Sequence, residues 1–198
     1  MIRSPLRAGI ALACALSLSA CGGGDGEFYL GGFVSGINKG DLVLKNEKNG
    51  ATVTLKQAGE FYFPDLVDAD SDYNVVVQSV PDNIAGVEAC TVTKGKGKAT
   101  FNINTIRVTC IINTHKLGGS ITGLGDASGL ELVNGADQVV VPAGAVSFTM
   151  ANVPEDSPYG ITILKQPAGR TCTVVNGTGT MLKADIANVQ VNCTPTAP

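Results

Sequence analysis

Tryptophan is absent, histidine occurs once, at His115, and aromatic residues make up only 5% of the chain. Each shortage excludes something. Without Trp, the Cys-Trp-Cys core of one large class of sandwiches cannot form. With one His, a zinc site of mixed His and Cys ligands has almost nothing to draw on. Basic residues are also few. Losing Arg3 and Arg7 with a leader leaves 12 of the 14 Lys and Arg against 17 Asp and Glu, a net charge of −5. That balance excludes a nucleic-acid partner, which needs a basic footprint, and it excludes a polybasic membrane contact. After residue 20 no segment keeps a 3.6-residue apolar period, so long amphipathic helices are excluded as well. Gly, Val and Thr are abundant instead, which suits short strands joined by tight turns. The expected mature chain is all-β.

The one long apolar stretch is N-terminal. Arg3 and Arg7 precede an apolar run from Gly9 to Leu18, which is too short to span a bilayer. The run ends in Leu18-Ser19-Ala20-Cys21, which resembles the lipobox of bacterial lipoproteins. The resemblance implies a signal peptide over residues 1–20 and a diacylglycerol thioether on Cys21. In Gram-negative bacteria a further acyl chain such as palmitate is added to the amine. Several acyl chains anchor stably where one binds only marginally. Gly22, not Asp, follows the Cys, which under the usual sorting pattern implies the outer membrane. Residues 21–29 then form the lipidated Cys and a Gly-rich tether.

Six Cys are present. Cys14 leaves with the leader and Cys21 is the lipid site, so Cys90, Cys110, Cys172 and Cys193 remain for disulfides. An internal repeat decides their pairing. Leu30-Gly31-Gly32-Phe33-Val34-Ser35-Gly36 recurs as Leu117-Gly118-Gly119-Ser120-Ile121-Thr122-Gly123. Tyr73-Asn74-Val75-Val76-Val77 recurs as Tyr159-Gly160-Ile161-Thr162-Ile163, and Cys90-Thr91-Val92 as Cys172-Thr173-Val174. Ile106-Arg107-Val108-Thr109-Cys110 closes the first copy, and Val189-Gln190-Val191-Asn192-Cys193 closes the second. Each copy therefore holds one pair, Cys90 with Cys110 and Cys172 with Cys193. In each strand the Cys is in phase with the apolar residues, which places it on the buried face.

Alternation and turn signals predict seven strands in the first copy, at 30–35, 41–45, 51–56, 60–63, 73–79, 88–93 and 105–111. The architecture expected is two tandem immunoglobulin-like or transthyretin-like β-sandwich units, over 30–112 and 117–194. Residues 113–116 read as a linker and 195–198 as a disordered tail. The second copy, notably Gln166-Pro167-Ala168-Gly169-Arg170-Thr171-Cys172 and Asn176-Gly177-Thr178-Gly179-Thr180, is similar to a repeat of secreted and lipid-anchored bacterial proteins. That pattern consists of structural glycines, a turn and the Cys pair, and it supplies no catalytic residue. The first copy departs from it at Pro81-Asp82-Asn83-Ile84-Ala85-Gly86.

Three features could carry chemistry. His115 lies in the linker, where a Ser-His-Asp set would need a cleft between the units. Asp68, Asp70 and Asp72 alternate as oxygen ligands do in calcium loops, although Tyr73 stands where an EF-hand needs Gly. Calcium is the one cofactor the sequence suggests. Lys94-Gly95-Lys96-Gly97-Lys98 reads as a basic hairpin tip whose counterpart keeps the glycines and drops the charges. The function expected is that of a non-enzymatic, lipid-anchored envelope protein with a structural or adhesive role, meeting a protein or glycan partner. The alternative is a small-ligand or calcium-binding surface module, and a hydrolase comes third.

Overall fold

The structure is a computed structural model, and it describes residues 26–196. The leader, Cys21, the tether through Asp25, and Ala197 and Pro198 lie outside the described residues. Ten strands build the first unit: β1 (Glu27–Phe28), β2 (Leu30–Ser35), β3 (Leu42–Asn46), β4 (Thr52–Leu55), β5 (Gly59–Tyr62), β6 (Val67–Asp68), β7 (Asp72–Ser79), β8 (Cys90–Thr93), β9 (Lys96–Lys98) and β10 (Ile103–Cys110). Ten more repeat them in order: β11 (Thr114–His115), β12 (Leu117–Thr122), β13 (Leu130–Asn134), β14 (Asp137–Val141), β15 (Ser147–Thr149), β16 (Val153–Pro154), β17 (Pro158–Lys165), β18 (Arg170–Val175), β19 (Thr178–Thr180) and β20 (Ile186–Pro195).

Each unit has two four-stranded sheets. In the first they run β5-β2-β10-β8 and β4-β3-β7-β9, and in the second β15-β12-β20-β18 and β14-β13-β17-β19. The short pairs β1-β6 and β11-β16 stand apart. This is the expected all-β architecture, two tandem sandwich units with one disulfide each. Period-two alternation is why these segments form half-buried strands. Along β10, Ile106, Val108 and Cys110 are buried while Arg107 and Thr109 are exposed. Each unit has its own core. Leu30, Leu42, Leu44 and Ile106 centre the first, and Leu117, Leu130, Leu132 and Val189 the second.

The first and last long strands of each unit pair in parallel, β2 with β10 and β12 with β20. Gly32 and Gly119 make this possible. A Cβ on Gly32 would collide with the Ile106 carbonyl oxygen, and one on Gly119 with that of Val189.

Several details differ from the sequence expectation. The segment 113–116 is not a bare linker: Thr114 and His115 form β11, which pairs with β16 of the second unit. Glu27 and Phe28, expected in the tether, likewise form β1 against β6. The tail is ordered through Pro195, opposite Arg170. The Lys94–Lys98 segment is not a hairpin. Its two arms belong to different sheets, since β8 pairs with β10 while β9 pairs with β7. Lys94 takes a left-handed φ of 55° and the Val75 amide donates to the Gly95 carbonyl at 2.7 Å, so the chain turns a corner between sheets. Asn176 and Gly177 turn the same corner in the second unit, with a φ of 57° at Asn176 and a bond from the Ile161 amide.

Gly119→Ala is expected to destabilise the protein by roughly 3 kcal/mol, because backbone cannot yield as a side chain can. Gly160→Ala, where a Cβ meets nothing, should stay within about 0.5 kcal/mol of wild type. Urea denaturation of the two variants checks the pair.

Candidate functional site

The four Cys form the expected bridges, Cys90 to Cys110 and Cys172 to Cys193. Each joins directly opposed residues of neighbouring strands, β8 with β10 and β18 with β20. They close loops of 20 and 21 residues, a constraint on the unfolded chain of about 3 kcal/mol each in the chain-entropy view.

Asp68, Asp70 and Asp72 do not converge. Asp68 sits on β6 opposite Glu27, Asp72 on β7 opposite Lys98, and Asp70 between them at a φ of 60°. Carbonyls that a calcium loop would offer are already engaged. The Asp68 oxygen accepts from the Ser71 amide at 3.1 Å and hydroxyl at 2.7 Å, and the Asp70 oxygen from the Lys98 ammonium at 2.7 Å. No group of three His, Cys, Asp or Glu able to hold a metal occurs among the described residues. The alternating carboxylates therefore mark a tight turn. The second unit builds the same turn, with Asp156 at a φ of 58° and the Ser157 amide donating to the Pro154 carbonyl.

The second unit's turn receives the first unit. Asn83 donates its amide to Asn38 Oδ1 at 2.8 Å. Asn38 in turn donates to the Glu155 carbonyl at 2.8 Å and to Ser157 Oγ at 3.1 Å. Asn113 crosses between the units bonded on both sides, its amide to the Asn83 carbonyl and its carbonyl to the Glu155 amide, each at 2.9 Å. The Glu155 carboxylate is buried and meets His115 Nε2 at 2.7 Å. Outside this buried centre Lys39 and Lys183 each lie 2.7 Å from Asp82, and Lys39 lies 3.4 Å from Asp156. Lys183 and Lys39, hydrogen-bonded to its two oxygens, hold the Asp82 carboxyl down to about 2. His115 faces carboxylates only, Glu155 and, at 3.8 Å, Asp185. Among the described residues no hydroxyl is hydrogen-bonded to it. The Ser-His-Asp arrangement is not assembled. Asn38, Asn83, Asn113 and Glu155 carry no motif, and only the fold brings these four segments together.

A second feature lies on the outward face of sheet β5-β2-β10-β8. Tyr29, Phe33 and Tyr62 are each about half exposed. Tyr29 and Tyr62 meet edge-to-face, with ring centroids 6.4 Å apart and planes at 75°. Gly31 lies opposite Tyr62 in register, and a Cβ there would fall 2.5 Å from the Tyr62 ring, so the missing side chain lets that ring lie against the sheet. The two tyrosines, Asn102 and Asn104 border a groove of about 490 Å³. Asn102 Oδ1 accepts from the Tyr29 amide at 3.0 Å. Beside the groove, Glu60 and Arg107 flank Phe33 across the sheet. In sequence this site is visible only as a difference between the copies, aromatic in the first and Lys, Ser or Thr in the second.

No family model and no curated protein matches the chain. Among solved structures it is similar to the TIE protein of Bacillus anthracis at a TM-score of 0.35 and 13% identity, over 84% of this chain and 34% of that one. The chain thus spans about a third of that protein's length. It is similar to the major pilin protein T3.2 of Streptococcus pyogenes at a TM-score of 0.34 and 11% identity, over 87% of this chain and 98% of that one. The T-13 major pilin of Streptococcus pyogenes gives a TM-score of 0.29 and 13% identity, over 88% and 98% of the two chains.

Glu155→Ala leaves the partly buried His115 without its hydrogen-bond partner, a loss of about 1 kcal/mol. It is expected to uncouple the units, so that one calorimetric unfolding transition divides into two. The outer ion pairs respond to acid. A carboxyl held below its unfolded value of about 3.9 stabilises above that pH and ceases to as pH falls towards 2. Coupling of the two transitions should therefore weaken between about pH 4 and pH 2, less so in high salt because these groups are exposed. Asp82→Asn should remove that step.

Proposed function

We propose that this chain is a lipid-anchored, non-enzymatic protein of the bacterial cell envelope, with a structural or adhesive role. Cys21 is the lipid attachment point, and the membrane is the outer membrane of a Gram-negative cell. The observation that carries this reading is the junction. Two disulfide-stapled units are locked end to end by a network that runs through Asn83, Asn38, Asn113 and Glu155. A stiff two-unit stalk suits a protein that holds a surface away from its anchor. Two structural disulfides support an oxidising compartment, and the net charge of −5 opposes contact with anionic lipid beyond the anchor. The partner is a protein or glycan of the envelope or its surroundings, met through an exposed sheet face.

Protease treatment of intact cells, with lysed cells as control, tests the adhesive form of this reading. Digestion of both units on intact cells is the expected result. Protection until lysis would remove the adhesive role and leave a structural one in the periplasm. Cys21→Ser is expected to move the protein from the membrane fraction to the soluble fraction, and an unchanged distribution would refute the lipid anchor.

A further inference from the structure

We infer that the groove between Tyr29 and Tyr62 is a binding site for a neutral polysaccharide chain. This deepens the adhesive reading by naming its ligand class. It is tested on purified protein, so a failed protease-accessibility result would leave it standing.

The two units supply an internal control. Phe33 on β2 lies opposite Glu60 and Arg107, and its equivalent Ser120 on β12 lies opposite Ser147 and Gln190. Tyr62 lies opposite Gly31, and its equivalent Thr149 lies opposite Gly118. Tyr29 precedes β2 as Lys116 precedes β12. The same fold, with the same parallel pairing and a corresponding groove of about 390 Å³ whose one aromatic, Phe148, is buried, therefore forms without an exposed aromatic side chain on this face. The rings are not needed for folding. The protein has only ten Tyr and Phe in all, and three stand half exposed on this one surface. Exposed apolar clusters of this kind mark contact surfaces.

The chemistry of the lining selects the ligand. Tyr62 lies along the sheet and Tyr29 stands against it, giving a floor and a wall of aromatic carbon. A pyranose ring offers an apolar C–H face to such a floor and hydroxyl groups at its edge. Around the rings stand the side-chain amides of Asn102 and Asn104, the Glu60 carboxylate and the Arg107 guanidinium. Arg107 is steadied by bonds from Nη1 to the Asn104 and Ile106 carbonyls at 3.2 and 3.0 Å. These groups donate to and accept from hydroxyls. Glu60 and Arg107, in the adjoining depression beside Tyr62 and Asn104, carry opposite charges, so these surroundings match a neutral ligand and not a polyanion. The groove is open along the sheet, which suits an internal stretch of a chain. An anionic membrane is a poor match, because no Lys lines the groove and the Asp65 to Asp72 turn lies at the same end of the unit.

The test is affinity electrophoresis of the full chain in detergent, in native gels cast with hydroxyethyl cellulose, xylan or galactomannan. Tyrosine emission is a second readout, since the protein has four Tyr and no Trp to mask them. Retardation by at least one of the three polysaccharides is expected, with a change in emission. Tyr62→Ala and Tyr29→Ala should each weaken binding about tenfold or more, as removal of an aromatic anchor does. Tyr62→Phe, which keeps the ring, and Thr149→Ala, in the second unit's groove, should each bind within about threefold of wild type. Because both tyrosines are half exposed, the alanine variants should keep the wild-type melting temperature. Absence of retardation by all three polysaccharides would overturn the proposal. So would retardation that both alanine variants preserve. Flotation with phosphatidylcholine vesicles that is lost in the alanine variants, without polysaccharide binding, would make the rings a membrane contact and overturn it too.

Discussion

Everything in each unit depends on the parallel pairing of its first and last long strands. Two such strands can lie side by side here only because Gly32 and Gly119 let a neighbouring carbonyl approach where a Cβ would stand. Gly36 and Gly123 do the same at the far end, at φ values of 74° and 71°, against the Cys110 and Cys193 carbonyls. The consequence reaches beyond packing. In a parallel pair both strands start at one end of the sheet and finish at the other. The chain therefore comes into a unit at one pole and leaves at the opposite pole. Two such units joined by a few residues must stack end to end, with the leaving pole of the first on the receiving pole of the second. The disulfides reinforce the same strands, since each ties the last strand to its other neighbour.

What the two copies share and what they do not separates framework from function. Shared are the glycines at the parallel pair, the Cys pairs, the left-handed residues Asp70 and Asp156 in the turn, and Lys94 and Asn176 at the corner. Each has a backbone or covalent reason to stay. Besides the lysines at the corner, two surfaces differ between the copies. One is the outward face of β2, β5 and β10, where Tyr29, Phe33, Tyr62 and Arg107 stand against Lys116, Ser120, Thr149 and Gln190. The other is the pair of poles that meet at the junction. Phe28 of the first unit corresponds to His115 of the second, and Ala69 to Glu155, so the buried His–Glu contact exists only where a neighbouring unit covers it.

This division also explains how much could be read from the sequence. Long strands with strict alternation, such as β10 and β20, were legible because burial imposes period two along one segment. The disulfide pairing was legible because the repeat places one pair in each copy and alternation puts each Cys on the buried face. The strands β1, β6 and β9 were not, because two or three residues show no period and their partners lie far along the chain. The alternating Asp68, Asp70 and Asp72 were misread for the same reason: spacing alone does not reveal that Ser71 and Lys98 already occupy the carbonyls between them. The junction is the extreme case. Its residues come from four separate segments, and only the stacking of the units brings them together.

The junction is also built for one use. Asn38 and Lys39, which reach the Ala-or-Glu, Asp, Ser turn of the next unit, correspond to Gly125 and Asp126 at the leaving pole of the second. The receiving pole of the first unit still offers the Asp70 carboxylate and the Ser71 hydroxyl in the same turn geometry that Asp156 and Ser157 present to Lys39 and Asn38. A second molecule stacked there through its second unit would set Asp126 against Asp70, two like charges, where Lys39 meets Asp156 within a chain. A head-to-tail contact that does not close propagates into a filament. At the leaving pole of the second unit those two positions are Gly125 and Asp126, so the side chains that join the units within one chain are not presented there a second time.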